Sequence, residues 1–227
     1  MKRIVIIGGM GPQASLHLHQ RIIAGAAKQG ARRNDEYPLI LHLSVPVKDF
    51  ISDHEVEAAL NLIKRHLKTI KLEQNDQVLI ACNTAHLLKN ELEKFTGVKF
   101  ISLIDQTIDS LNPNIDKTIG LIASPTTINS GLYTDLLRDK GHRFLTCDID
   151  DLRVVEKCIR QVIANKQPDI FTKSIDPVID KLHAQGANKI ILGCTELSLI
   201  YSNDSNNYVI DPLEVVKEYL LNGYKSF

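Results

Sequence analysis

Two cysteines in matching contexts carry the clearest chemical signal in this chain of 227 residues. Cys82 ends the apolar run QVLIAC and is followed by Asn83, Thr84, Ala85 and His86. Cys194 ends the apolar run NKIILGC and is followed by Thr195 and Glu196. In each half a strand-like segment runs into the thiol and a helix-like segment starts after it. Strand ends in α/β proteins open toward the crevice where ligands bind. Two thiols on opposite sides of one crevice can take a proton from one face of a carbon and return one to the other face. A thiolate at a helix N-terminus has a lowered pKa and is a better base or nucleophile. The backbone N–H groups there, with the side chains of Asn83 and Thr84, can hold a carboxylate. Thr195 offers a hydroxyl donor in the second half, and Glu196 either positions a proton partner or caps the helix. Gly193 is expected to let the backbone turn tightly before the thiol. Either cysteine alone could simply close a buried strand; the matching pair favours chemistry.

The elements that must position these residues alternate regularly. Arg3–Gly8 reads as a buried strand, Gln13–Gln29 as a helix, Pro38–Val45 as a second strand and Gln77–Ala81 as a third. Between them, Val56, Ala59, Leu60, Ile63, Leu67 and Ile70 share one face of a helix predicted over Glu55–Leu72. Continuous apolar strands separated by helices indicate an α/β fold with mostly parallel sheets covered on both faces. The pattern then restarts: Lys117–Ala123 (KTIGLIA) echoes Lys2–Gly8 (KRIVIIG), at nearly the offset that separates the two cysteines. A duplicated unit follows from these two landmarks. The expected division is residues 1–96 plus 208–227 for the first domain and 97–207 for the second. In this reading the YVI strand and the Asp211-Pro212 helix start return to the first.

Composition narrows the function. Lys and Arg number 27, Asp and Glu 27, and the pI is near 7.1, so no global charge draws the chain to nucleic acid or an acidic membrane. Trp is absent and aromatics are few, which removes stacking platforms for bases. MKRIVIIGGMGP reads as strand and turn rather than as a signal peptide. No apolar run reaches membrane-spanning length. Four cysteines without a CxxC pair fit free thiols in a reducing cytoplasm. The turn Gly8-Gly9-Met10-Gly11-Pro12 lacks the G-x-G-x-x-G spacing of a dinucleotide site; it fits a tight connection, or a wall where backbone approaches a small ligand.

GGMGP, CNTAH, ASPTTINSGLY and GCTEL together, in this order over essentially the whole chain, resemble the aspartate/glutamate racemase family. The resemblance implies two similar Rossmann-like domains, pseudo-twofold related, with the active site in the cleft between them. It implies an amino-acid racemase that interconverts L- and D-aspartate or glutamate without pyridoxal phosphate or metal, as a homodimer. Cys82 and Cys194 would be the two bases. Met10, Lys48, Asn83, Thr84, Ala85, Thr127 and Thr195 would line the site for an amino-acid or dicarboxylate substrate. Relatives with paired cysteines also include maleate isomerases, arylmalonate decarboxylases and hydantoin racemases. A related carboxylic-acid isomerase or decarboxylase, or a carboxylate-binding protein without turnover, is therefore the alternative.

The chain departs from the family pattern in three places. Lys48 stands where aspartate-specific relatives carry an arginine, keeping the charge but losing the bidentate fork. Ala164 stands where they carry a lysine, with Arg160 and Lys166 nearby as candidate replacements. Ser124-Pro125-Thr126 replaces the usual Thr and Gly before Thr127. His86 and Cys82 have a spacing that could serve zinc, but no further ligands follow at recognisable spacing, so His86 is expected to pack or hydrogen-bond near the helix start. His17 and His19 are expected to be partly solvated, Cys147 and Cys158 to pack, and the Arg32-Arg33 and Lys64-Arg65 pairs to face solvent.

Overall fold

The computed structural model describes residues 3–50, 53–201 and 208–222. Residues 1–2, 51–52, 202–207 and 223–227, which include the outer ends of the expected first domain, lie outside them. The chain forms two compact units: residues 1–103 with 216–227, and residues 104–215.

The first unit runs β1 (Ile4–Gly8), α1 (Pro12–Lys28), β2 (Ile40–Ser44), α2 (Asp53–Leu67), β3 (Gln77–Ile80), α3 (Lys89–Thr96) and β4 (Phe100–Ile101). Its sheet has the order β2-β1-β3-β4, and every pairing is parallel. All five residues of β1 are buried, as a central strand covered on both faces requires. Val5, Ile7, Val78 and Ile80 pack with Ala59, Ile63 and Leu67 of α2 and with Leu88 and Leu92. Ile4 and Ile6 point to the opposite face and are equally buried. Each such side chain contributes about 1.5–3 kcal/mol. Pro12 opens α1 at a position that needs no N–H, and Ala14, Leu18, Ile22 and Ala26 repeat at helical spacing on its buried face.

The second unit runs α4 (Leu103–Asp109, whose first residue belongs to the first unit), β5 (Thr118–Ile122), α5 (Pro125–Asn129), α6 (Thr134–Asp139), β6 (Arg143–Thr146), α7 (Ile149–Ile163), α8 (Thr172–Ala184), β7 (Lys189–Leu192), α9 (Leu197–Ile200) and β8 (Val209–Ile210). Its sheet order, β6-β5-β7-β8, repeats that of the first unit strand for strand, again wholly parallel. Ile122, Ile190 and Leu192 pack on Val155, Cys158, Ile159 and Val162 of α7 and on Ile175, Val178 and Leu182 of α8. Ile119, Leu121 and Ile191 pack on Ile104, Ile108, Tyr133 and Leu137. Asp148 caps α7, accepting the backbone N–H groups of Asp150 and Asp151 at 3.1 and 3.0 Å.

Three boundaries differ from the sequence reading. Residues 97–103 stay with the first unit, because Phe100 and Ile101 pair with Val78 and Leu79 of β3. Residues 208–215 stay with the second, because Val209 and Ile210 pair with Ile190 and Ile191 of β7. Only the later part of α10 (Pro212–Leu221) belongs to the first unit, where Leu221 and Lys217 lie over Gly25 of α1. The α2 helix stops at Leu67, with Ile70 in the turn that follows.

Candidate active site

In the first unit, β1, β2 and β3 end level with one another. Ala81 donates its N–H to the Ile7 carbonyl at 2.8 Å, and Val45 donates to the Gly8 carbonyl at 2.9 Å. Met10, Lys48 and Cys82 to Ala85 all follow these ends, so the structure brings them to one edge of the sheet. Gly9 is obligatory there: its φ is +95°, and a Cβ would sit 2.4 Å from the Val45 carbonyl oxygen. Gly8 is pressed against Ser15, whose hydroxyl accepts the Gly9 N–H at 3.3 Å. Cys82 is 8% exposed, Asn83 and Ala85 are buried, Thr84 and Met10 are half-buried, and Lys48 is exposed.

His86 is locked beneath the thiol segment. Its Nε2 accepts the Leu103 backbone N–H at 3.1 Å, so the ring proton lies on Nδ1 and is donated to the Cys82 carbonyl at 2.9 Å. The imidazole is neutral in this arrangement, and both ring nitrogens are engaged in hydrogen bonds rather than open to a metal. The ring braces the peptide that carries Cys82. Among the described residues, no group of three or more His, Cys, Asp or Glu side chains is arranged to hold a metal ion.

In the second unit, β5 leads to Ser124 and Thr127, and β7 leads to Cys194 and Thr195. The two strand ends are level, since Gly193 donates to the Ile122 carbonyl at 2.7 Å. Ser124 caps α5 by accepting the Thr127 N–H at 3.3 Å, and the two hydroxyls share a 3.0 Å hydrogen bond. This cap is what the chain builds in place of the family's Thr and Gly. Thr127 and Thr195 are buried and Cys194 is partly buried.

The Cys194 Sγ donates to Glu196 Oε2 at 2.8 Å, and the Thr195 hydroxyl reaches the same oxygen at 3.4 Å. Glu196 is 3% exposed. Beside this group stands Tyr133, wholly buried, which the sequence reading passed over within ASPTTINSGLY. Burial drives its phenol pKa far up, with further upward pressure from Asp211, Cys194 and Asp105, so it stays protonated. An aromatic at the end of a loop has no periodic partner to mark it in sequence.

Helix dipoles contribute less here than the sequence suggests. Cys82 is followed by a five-residue 3₁₀ helix (Thr84–Leu88), and Cys194 by the four-residue α9. Few aligned peptides make a small dipole, so side chains carry more of the local electrostatics. Gly193 also has a different reason from the one expected. Its φ is not positive; instead a Cβ would fall 2.8 Å from that of Ala123 and 2.7 Å from Leu121 Cδ1. Gly193→Ala is therefore expected to lower stability by about 1–3 kcal/mol through overpacking, read as a fall in melting temperature. An unchanged melting temperature would refute the close-packing account.

The other cysteines sit apart from this chemistry. Burial pushes the Cys147 thiol up to about 12 and raises that of Cys158, so neither ionises readily. Arg160 is exposed and bonded to Glu156 at 2.8 Å, one turn earlier on α7; Ala164 and Lys166 are exposed at the end of that helix. His17 and His19 are half-buried, Arg32, Arg33 and Arg65 are exposed, and Lys64 lies 5.6 Å from the Phe95 ring centroid.

Two parallel sheets of one strand order, each ending in a Cys-Thr or Cys-Asn-Thr segment, define a duplicated α/β protein with a thiol at each inner strand end. The chain belongs to the Asp/Glu/Hydantoin racemase family, which it matches over residues 7–219, and its enzyme class is therefore isomerase. It is 24% identical to the broad specificity amino-acid racemase RacX of Bacillus subtilis over 99% of both chains. Among solved structures it is similar to Picrophilus torridus aspartate racemase, with a TM-score of 0.78 and 28% identity, covering 99% of this chain and 94% of that one. Glutamate racemase from Francisella tularensis, in complex with D-glutamate, shares the fold: TM-score 0.66 and 17% identity, over 97% of this chain and 80% of that one. No helix among the described residues is long and apolar enough to cross a membrane.

Proposed function

We propose that the protein racemises a free amino acid by two-base proton transfer between Cys82 and Cys194, with aspartate and glutamate as the first substrates to consider. The observation that carries this reading is the placement of one thiol just past the end of β3 and one just past the end of β7, equivalent strands of two sheets with one order. The mechanism requires both sulfurs to reach opposite faces of one α-carbon. The Cys82 thiolate takes the α-proton, forming S–H and leaving the C–H electron pair on carbon and carboxylate. The Cys194 S–H delivers its proton to the other face and becomes the thiolate. For the opposite enantiomer the roles reverse.

The α-proton is far less acidic than a thiol, so the carbanion-like transition state needs donors aimed at the substrate carboxylate. Asn83, Thr84, Thr127 and Thr195 supply amide and hydroxyl groups at the two strand-end segments, with Met10 and Ala85 as apolar lining. Lys48 is assigned to an acidic substrate side chain. The same reading has the enzyme working in the cytoplasm as a homodimer, without pyridoxal phosphate or metal. All four cysteines are thiols rather than disulfides, which fits a reducing compartment.

Proton NMR of L- and D-amino acids in deuterated buffer with the reduced protein tests it. Loss of the α-proton signal together with appearance of the enantiomer is the expected result. No exchange across aspartate, glutamate and a set of neutral amino acids would overturn it in favour of a related carboxylic-acid isomerase or a binding protein.

A further inference from the structure

We infer that His42 is a positioning residue for the Gly8–Gly9 turn, and that its protonation state governs how firmly α1 closes on that turn. The inference rests on the racemase reading only for the role of Met10, which follows the turn and is assigned there to the site. Its geometry lies within the first unit and involves neither thiol.

His42 lies in the middle of β2, paired with Ile6 of β1. Leu41 and Leu43 pack into the core on the α2 side. Alternation along the strand therefore turns His42 to the opposite face, under α1. There its Nε2 lies 2.9 Å from the point where a Gly8 Cβ would fall, and the Ser15 hydroxyl is closer still to that point. Imidazole, turn and helix meet in the space that the missing Cβ leaves. Ser15 is fully buried. Its hydroxyl donates to the Pro12 carbonyl at 3.0 Å and accepts the Gly9 N–H at 3.3 Å, so it is a hydrogen-bonded link between α1 and the turn.

His42 Nε2 is buried and has no hydrogen-bond partner among the described residues. A neutral ring bears that cost as one unmatched polar atom; an imidazolium adds a charge to it. The elements around the ring offer no counter-charge. β1 turns Ile4, Ile6 and Gly8 to this face, and β2 itself Ile40 and Ser44. The ionisable groups of α1 are His17, His19, Arg21 and Lys28, and none of the three elements carries an acidic residue. His19 stands edge-on to His42 with ring centroids 5.7 Å apart, while His17 accepts the Arg21 Nε–H at 2.8 Å. Burial, and after it the charge of His19, lower the His42 pKa. The folded value is below the unfolded one, so the unfolded chain binds more protons in between. The stability that depends on the neutral ring is complete above about pH 6.5 and is lost as pH falls through the folded value. A charged ring is relieved by drawing α1 away at Ser15, which stretches the Gly9–Ser15 bond and loosens the turn ahead of Met10.

Nitrogen-15 NMR tests this without any substrate, so its failure is separable from failure of the racemase reading. The ring nitrogens of His42 and the backbone amide of Gly9 are followed from about pH 8 down to about 4, across the range where imidazoles titrate, in wild type and in His42→Leu. The His42 midpoint should lie below about 6.5, the ordinary imidazole value, and the Gly9 amide should shift with that same midpoint. In His42→Leu the Gly9 shift should be lost. A side chain that only fills space would leave the Gly9 amide unmoved by its titration, so a silent Gly9 overturns the inference. An ordinary His42 midpoint overturns it as well, and so does a Gly9 shift that survives in His42→Leu. Should His42→Leu fail to fold, the wild-type titration still decides: the two signals share one lowered midpoint or the inference is refuted.

Discussion

Cys82→Ala and Cys194→Ala are each expected to lower racemisation by at least about a thousandfold, the upper part of the range for losing a positioned acid or base. Both variants should fold. Each change removes only a sulfur atom, from Cys82, a buried member of the first unit's core, and from Cys194, partly buried against the second unit's core. The two variants differ in what they retain. With one base left, a substrate can lose and regain hydrogen on the single face that base touches, so exchange into one enantiomer without inversion is the partial activity to look for. Circular dichroism of the racemisation reaction and NMR of the exchange reaction, run side by side, separate the two. Cys158→Ala is the control: its thiol lies in the second unit's core, so stability should fall while the exchange rate holds. Racemisation at the normal rate in either active-site variant would end the two-base reading.

The second large effect concerns stability and lies in the first unit. Glu93 is 8% exposed. Burial alone would raise its carboxyl pKa, but the Phe100 backbone N–H at 2.7 Å, Lys89 at 3.0 Å and Lys99 at 3.1 Å more than offset it and hold it at about 2. The folded value is below the unfolded one, so the native state binds fewer protons in between. The stabilisation is therefore complete above about pH 4.5 and is lost as pH falls toward 2. Its size is about 3 kcal/mol. Most of this comes from Phe100 and Lys89, because Lys99 is 92% exposed and such pairs add little. Glu93→Gln should melt well below wild type at pH 7, and the gap should close as pH approaches 2. A gap of equal size at both pH values would show that packing, not charge, is responsible.

Sequence revealed the central strands because they are buried along their whole length. IVIIG and TIGLI are continuous apolar runs that no surface element needs, and the two cysteines mark the ends of the strands beside them. The edge elements were illegible for the opposite reason. β4 and β8 are two residues each, too short to express a period, and their partners are fixed only when a neighbouring strand offers free backbone groups. The domain boundaries shifted for this cause alone. At the site, residue types and order were readable, including Thr127 and Thr195. Glu196 was readable only as two alternatives, a residue that positions a proton partner or a helix cap, because two residues apart in a loop have no periodic relation. Only the turn geometry brings the carboxylate back onto the sulfur. His86 was readable as a helix-start residue, but its role as a brace to Leu103 depends on where β4 ends.

The discontinuity of the first unit has a consequence for biosynthesis. Residues 104–215 are contiguous and hold their whole sheet, so that unit can close as soon as it has left the ribosome. The first unit emerges earlier yet is finished later. Val216, Leu220 and Leu221 are all buried, and Leu221 covers Gly25 on a helix made about two hundred residues before. Until α10 has emerged, that stretch of α1 is an uncovered apolar surface on a nascent chain. The α10 helix thus works as a latch: the older half can be completed only after the younger half has been made.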